Sequence, residues 1–151
     1  MSGSAAAEPW IAPGRSRVSS FLVCPEADAV LAFAREVFGA EDIRPALYRR
    51  GGALWNAELS IGGSTIMVGA SRLGFSRPGF VYVHVPDARA TFDAAVAAGA
   101  QPVMPLAAQF YGDLDGGVED MGGNWWWMST HERSLSPDEI EAGARRQEAA
   151  A

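Results

Sequence analysis

Apolar and polar positions follow two rhythms along this chain, and the rhythms come in the same order twice. Residues 18–24, Val-Ser-Ser-Phe-Leu-Val-Cys, form a short apolar run that predicts a strand. From Pro25 or Glu26 to Phe38 the apolar residues Val30, Leu31, Ala34, Val37 and Phe38 fall at helical spacing, and Gly39 stands where a left-handed cap ends a helix. Extended segments follow near 42–49, 53–61 and 64–68, with Gly51-Gly52 and Gly62-Gly63 as hairpin turns. A linker over 72–79 contains Gly74 and Pro78. The order then repeats: a strand over 80–85, a helix over 87–98 capped by Gly99, and strands near 101–110, 112–119 and 125–130. Ser136-Pro137-Asp138-Glu139 carries an N-cap, a proline at the first helical position and a capping-box glutamate, so residues 136–147 are expected to form a lightly packed terminal helix.

The two passes align sixty residues apart. Ile61-Gly62-Gly63-Ser64-Thr65-Ile66-Met67-Val68 matches Met121-Gly122-Gly123-Asn124-Trp125-Trp126-Trp127-Met128, each a turn feeding an apolar strand. The strand from Val18 to Pro25, with its acidic, alanine-rich follow-on to Gly39-Ala40, matches Gly79 to Pro86 and its follow-on to Gly99-Ala100. The fold class is therefore α+β, a βαβββ module used in tandem plus a C-terminal helix. An arm covers residues 1–16, one domain covers 17–131 as modules 17–71 and 79–131, and a helix and tail cover 132–151. The arm mixes Ser, Gly, Ala and Pro around Trp10 and Ile11, so it is expected to be flexible, with Trp10 anchoring it on the domain surface.

Side chains alternate along a strand, so Phe80, Tyr82 and His84 share one face and Val81, Val83 and Val85 the other. The valine row is the natural partner of the helices. By the same alternation Trp125, Trp127, Ser129 and His131 join the first face, while Trp126, Met128 and Thr130 turn towards the helices. In the first module Ser19, Phe21, Val23, Thr65 and Met67 share the open face. A hairpin turning at Gly62-Gly63 pairs Ile61 with Ser64 and brings Glu58 opposite Met67, with Asn56 on the same side. Glu58 is the sole acidic side chain expected inside the curve. It has three possible roles: pairing with a basic ligand, acting as a general base with a raised pKa, or sitting at the rim bonded to a neighbour such as an arginine. Trp126 is expected in the core, whereas Trp125 and Trp127 are either core filling or pocket wall.

Composition narrows the chemistry. The 151 residues carry a formal charge of −6, the wrong sign for a nucleic-acid surface, and no apolar run approaches the ~20 residues needed to cross a bilayer. All basic side chains are arginine apart from two histidines, so a Schiff-base amine on lysine is excluded. Cys24 is the one cysteine, set in an apolar strand and expected as a packed thiol. Residues 1–8 lack the basic start and apolar run of an export signal, and a cytoplasmic protein is expected. No nucleophile elbow, Walker loop, His-Glu-x-x-His or dinucleotide glycine fingerprint is present.

With its duplicated order of strand, Pro, acidic helix and Gly-Ala, the chain resembles the vicinal oxygen chelate superfamily of glyoxalases, extradiol dioxygenases and bleomycin-resistance proteins. The carrying residues are Phe33 through Phe38-Gly39-Ala40, Ala57-Glu58-Leu59-Ser60-Ile61-Gly62-Gly63, Val81-Tyr82-Val83-His84-Val85-Pro86-Asp87-Ala88, and Gln109-Phe110-Tyr111-Gly112-Asp113 leading to Val118-Glu119-Asp120. The resemblance implies a curved mixed sheet, a homodimer, and metal ligands from the first and fourth strands of each module. Those positions hold Ser19, Met67, Phe80 and Trp127, a set unsuited to zinc, nickel or iron, so no metal and no other cofactor is expected. His84 and His131 lie four residues past two such positions and could meet near the cavity mouth, though a metal there would need a third ligand such as Glu58 or Asp113. The resemblance is to the metal-less bacterial branch. It implies a small-molecule binding protein whose aromatic cleft (Phe21, Glu58, Met67, Phe80, Tyr82, His84, Trp125, Trp127) holds a planar or cationic compound, with no nucleic-acid or membrane partner. The alternative is a lyase or isomerase that uses Glu58 or His84 as base, with an unorthodox metal or none.

Overall fold

A computed structural model describes residues 9–151, so residues 1–8 of the expected arm lie outside the described part. The chain divides into two compact units, the first ending at Gly79 and the second spanning Phe80–Ala151. Each is a mixed sheet with its helix packed on one face, and the element order is βαβββ in both, with one further short strand in the first.

In the first unit β1 (Ser19–Val23) pairs in parallel with β5 (Ser64–Gly69), which pairs antiparallel with β4 (Leu54–Ile61). The short β2 (Glu41–Asp42) and β3 (Leu47–Tyr48) both pair with β4. Helix α1 (Ala27–Phe38) ends at Gly39, whose φ of 61° needs a residue without Cβ. Val30, Leu31, Phe33 and Ala34 of α1, with Leu22, Leu54, Ala57, Leu59, Ile66 and Val68 of the sheet, make the buried side, and Cys24 is fully buried as a packed thiol.

The second unit has strand order β6 (Phe80–His84), β9 (Trp125–His131), β8 (Asp113–Glu119), β7 (Gln101–Ala108). The valine row behaves as its alternation predicts: Val81 and Val83 are buried with Leu114, Val118, Trp126 and Met128 against α2 (Ala88–Ala97). Asp87 caps α2 by accepting from the Ala90 amide at 3.0 Å. Thr130 ties the start of the helix to the sheet, its Oγ1 accepting from the Ala88 amide and donating to the Val85 carbonyl, both at 2.8 Å. Helix α3 (Pro137–Ala149) starts with the expected capping box between Ser136 and Glu139. It meets the rest of the unit at Gly143, where a Cβ would stand 2.9 Å from that of Phe110.

Three expectations need correction. The strand near 42–49 is two short pieces, because Pro45 has no amide proton for the ladder and the pairing with β4 shifts between Leu47 and Tyr48. Arg15 and Ser16, assigned to the flexible arm, are tied to the first sheet: the Ser16 amide donates to Thr65 Oγ1 at 2.7 Å, and the Thr65 amide returns a bond to Ser16 Oγ at 3.0 Å. Trp10, expected to anchor the arm on the domain surface, stays 62% exposed, with the Arg17 guanidinium over its ring at 5.3 Å.

Candidate functional site

In each unit one sheet face is covered by the helix, and the other carries the candidate residues. The register of the second unit sets Phe80 beside Trp125, Tyr82 beside Trp127 and His84 beside Ser129. Across the β8–β9 hairpin, Trp125 faces Glu119, Trp127 faces Gly117, Ser129 faces Asp115 and His131 faces Asp113. The open face therefore divides into an aromatic half and a polar half.

The aromatic half is a set of rings. Phe80 stacks on Trp127 with centroids 4.9 Å apart and planes 27° apart, and Trp125 lies 5.8 Å from Trp127. Phe80 is 56% and Trp125 40% exposed, although burying such rings is worth roughly 1.5–3 kcal/mol each. Trp127 lies over bare backbone: a Cβ on Gly117 would fall 2.1 Å from its ring. Trp126, on the other face, is fully buried, and its indole N–H donates to Asp120 at 2.8 Å.

The polar half is built on carboxylates. Asp115, 1% exposed, accepts from the Tyr82 hydroxyl at 3.0 Å, from the Gln109 amide at 2.9 Å and from the Tyr111 hydroxyl. Burial and then the neighbouring Asp115 raise the Tyr111 pKa far above that of an ordinary phenol. Tyr82 is raised too, by burial first and by Asp115, against an opposing bond from Ser129, so both phenols act as proton donors. Asp113 accepts from Ser129 at 2.9 Å and from His131 Nδ1 at 2.7 Å, while His84 Nε2 stands 3.7 Å away. Burial pushes the Asp113 carboxyl up, but the bonds from His131 and Ser129 outweigh it and hold the pKa below the ordinary value.

His84 and His131 thus do come together, on either side of Asp113. Among the described residues they complete no group of three His, Cys, Asp or Glu able to hold a metal ion. At the four superfamily ligand positions the donors are a hydroxyl, a thioether and two aromatic rings, which do not fit a divalent metal.

The first unit presents Ser19, Phe21, Thr65, Met67 and Glu58 on its open face, with Glu58 opposite Met67 as the hairpin count requires. Glu58 is an ion-paired carboxylate. Arg15 binds its Oε2, Arg44 Nε lies 3.1 Å from the same oxygen, and Asn56 Nδ2 is 3.5 Å from Oε1. Burial pushes the Glu58 pKa up, but the two guanidinium groups outweigh it and hold the carboxyl below its ordinary value. Glu58 is also not the sole acid on the open faces, because Asp113, Asp115 and Glu119 share the face of Trp127.

Five partners are not legible in the sequence: Asp115, Tyr111 and Gln109 in the second unit and Arg15 and Arg44 in the first. Only the tract Gln109 to Asp113 was singled out, and for its resemblance, not its chemistry.

Comparison with known proteins agrees with this architecture. The chain is 30% identical over 142 residues to an uncharacterized protein of Mycobacterium bovis, covering 86% of this chain and 93% of that protein. An uncharacterized protein of Mycobacterium tuberculosis matches at the same identity, over 83% of its length. Among solved structures, TioX from Micromonospora sp. ML1 superposes with a TM-score of 0.62 at 28% identity, over 77% of this chain and 98% of that one. A glyoxalase/bleomycin resistance protein/dioxygenase family enzyme from Burkholderia phytofirmans shares the fold, with a TM-score of 0.60 at 17% identity over 75% of this chain and 96% of that one. No family model matches the chain. The chain belongs to one family with these mycobacterial proteins, and it has the fold of the glyoxalase/bleomycin-resistance/dioxygenase proteins, the vicinal oxygen chelate fold. No helix among the described residues is long and apolar enough to cross a membrane.

Proposed function

We propose that this protein binds a planar, cationic small molecule without a metal, on the open face of its second sheet, and sequesters it. The carrying observation is the exposed stack of Phe80 on Trp127, flanked by Trp125, on the same face as Asp113, Asp115 and Glu119. A flat ring laid on the tryptophans gains stacking and, if cationic, ring-face attraction, each worth about 0.5–1.5 kcal/mol beyond burial. Asp113, held ionised, supplies the counter-charge, and the Tyr82 and His84 side chains at the boundary orient the ligand's polar edge. Phe21, Glu58 and Met67 belong to the corresponding face of the first unit; Glu58 acts there as the anchor of two arginines. The working form is a cytoplasmic homodimer without nucleic-acid or membrane partners.

The test is a fluorescence titration with 9-aminoacridine. Wild type should bind it, Trp127→Ala should lose on the order of tenfold in affinity, and Asp113→Asn should weaken the cation while leaving neutral acridine unchanged. Equal affinity of wild type and Trp127→Ala would place the ligand elsewhere.

A second reading, a lyase or isomerase, rests on His84, whose Nε2 faces the Asp113 carboxylate at 3.7 Å from an exposed position. Stoichiometric nickel, zinc or iron retained by the purified protein through dialysis would favour it over the binder.

A further inference from the structure

The first unit has a cleft of its own, of about 310 Å³, walled by Phe21, Trp55, Leu73 and Phe75 with Arg49 and Arg72 at its edge. Its origin is local. The pairing of β3 with β4 slips by one residue, so Leu47 pairs with Asn56 and Tyr48 with Leu54; between buried Leu54 and Ala57, Trp55 is turned outward and left 54% exposed. Leu73 at 81% and Phe75 at 49% exposure complete an apolar surface that the unit's own core does not use.

We propose that this cleft is a second binding site, for a planar organic anion such as an aromatic carboxylate. The charges argue for the anion. In this unit Arg15 and Arg44 share Glu58, and Arg35 is bonded to Asp42. Among the described residues no carboxylate lies within ion-pair distance of Arg49 or Arg72. Arg49 is nevertheless held in place: its guanidinium lies 4.5 Å from the Trp55 ring centroid, and Nη2 makes one long bond of 3.4 Å to the Ala70 carbonyl. A guanidinium stacked on an indole keeps most of its five N–H donors free in the ring plane, the geometry that accepts a carboxylate as a two-pronged partner. The apolar walls argue for the ring. A bare inorganic anion would leave Phe21, Trp55 and Phe75 wet, whereas an aromatic acid covers them while its charge reaches the arginines. The volume sits at the lower end of the roughly 300–1,000 Å³ of small-molecule pockets, which suits a ligand of one or two fused rings. This site is opposite in sign to the carboxylate-rich face of the second unit and does not depend on it.

Calorimetric titration with 2-naphthoate, 2-naphthamide and 2-naphthylmethylammonium tests the assignment. Naphthoate should bind wild type and bind at least about tenfold more weakly to Arg49→Gln/Arg72→Gln, the loss expected when charge-assisted bonds are removed. The neutral amide and the cation should bind wild type no better than naphthoate binds that variant. Among the described residues both arginines lack an acidic partner, so the variant should keep the wild-type circular dichroism and melting temperature; Arg49→Lys, which keeps the charge and removes the fork, is a milder second probe that should lose part of the affinity. No naphthoate binding to wild type, equal binding of the three probes, or unchanged affinity in the double variant would each overturn the proposal. The double variant should still bind 9-aminoacridine as wild type does, so failure of this site and failure of the second unit's site are read separately.

Discussion

Met67 and Trp127 occupy equivalent places in the two units, each on the last strand between a parallel and an antiparallel neighbour. Met67 has Phe21 on one side and Glu58 on the other; Trp127 has Tyr82 and Gly117. That one difference on the antiparallel side separates the two faces. Beside Met67 the glutamate gathers Arg15 and Arg44, and that part of the open face becomes an ion-paired cluster. Beside Trp127 the glycine leaves bare backbone, so the indole lies flat and Phe80 can stack on it. The duplicated backbone fixes where the two open faces lie; the residue across the hairpin decides whether a face is ion-paired or aromatic.

The largest break in this comparison should come from Trp126, which fills the covered side where the first unit places Ile66. Trp126→Ala should cost about 3–5 kcal/mol, measured as a fall in the urea midpoint at unchanged slope, and should remove one of the bonds that the Asp120 carboxylate accepts. Next comes Gly117→Ala, whose methyl would collide with the Trp127 ring; overpacking of this kind costs about 1–3 kcal/mol, and the near-ultraviolet circular dichroism of the tryptophan cluster should change with it. An alanine tolerated there without loss of that signal would show that the ring does not need the bare backbone.

The smallest effect is acid sensitivity. Glu58 and Asp113 both have folded pKa values below their unfolded ones, so their contributions are present above the unfolded carboxyl range of about 4 and are lost as pH falls through the folded values. Wild type should therefore lose stability on acidification below about pH 4. Glu58→Gln and Asp113→Asn should each flatten that slope in part, measured as urea midpoints against pH. A slope unchanged in both variants would mean that neither cluster contributes.

Much of the fold was legible because its signals are local: helical stripes, Gly39, the capping box at Ser136 and the strand alternation that buried Val81, Val83 and Trp126. The Glu58–Met67 pairing was legible for the same reason, since Gly62 and Gly63 both take positive φ and close a two-residue turn. The acids of β8 were not. Gly122-Gly123 looks like the same turn, but only Gly123 has positive φ, and Asp120 closes a loop of three residues by accepting the amides of Gly122 and Asn124. One extra residue in a hairpin exchanges the two faces of the strand before it, so a count borrowed from the first hairpin puts Asp113 and Asp115 on the wrong side. The cleft at Trp55 was hidden in a similar way, by a slip in register that no periodicity announces. Arg15 reaches Glu58 from a segment without pattern of its own, and no spacing rule connects the two.

Strand β7 lies at the border of the second sheet and contains Pro102 and Pro105. A proline offers no amide proton, so a chain laid along this margin would find its row of donors interrupted twice within eight residues. The interruption works against fibril-like stacking of one molecule on the next through this margin.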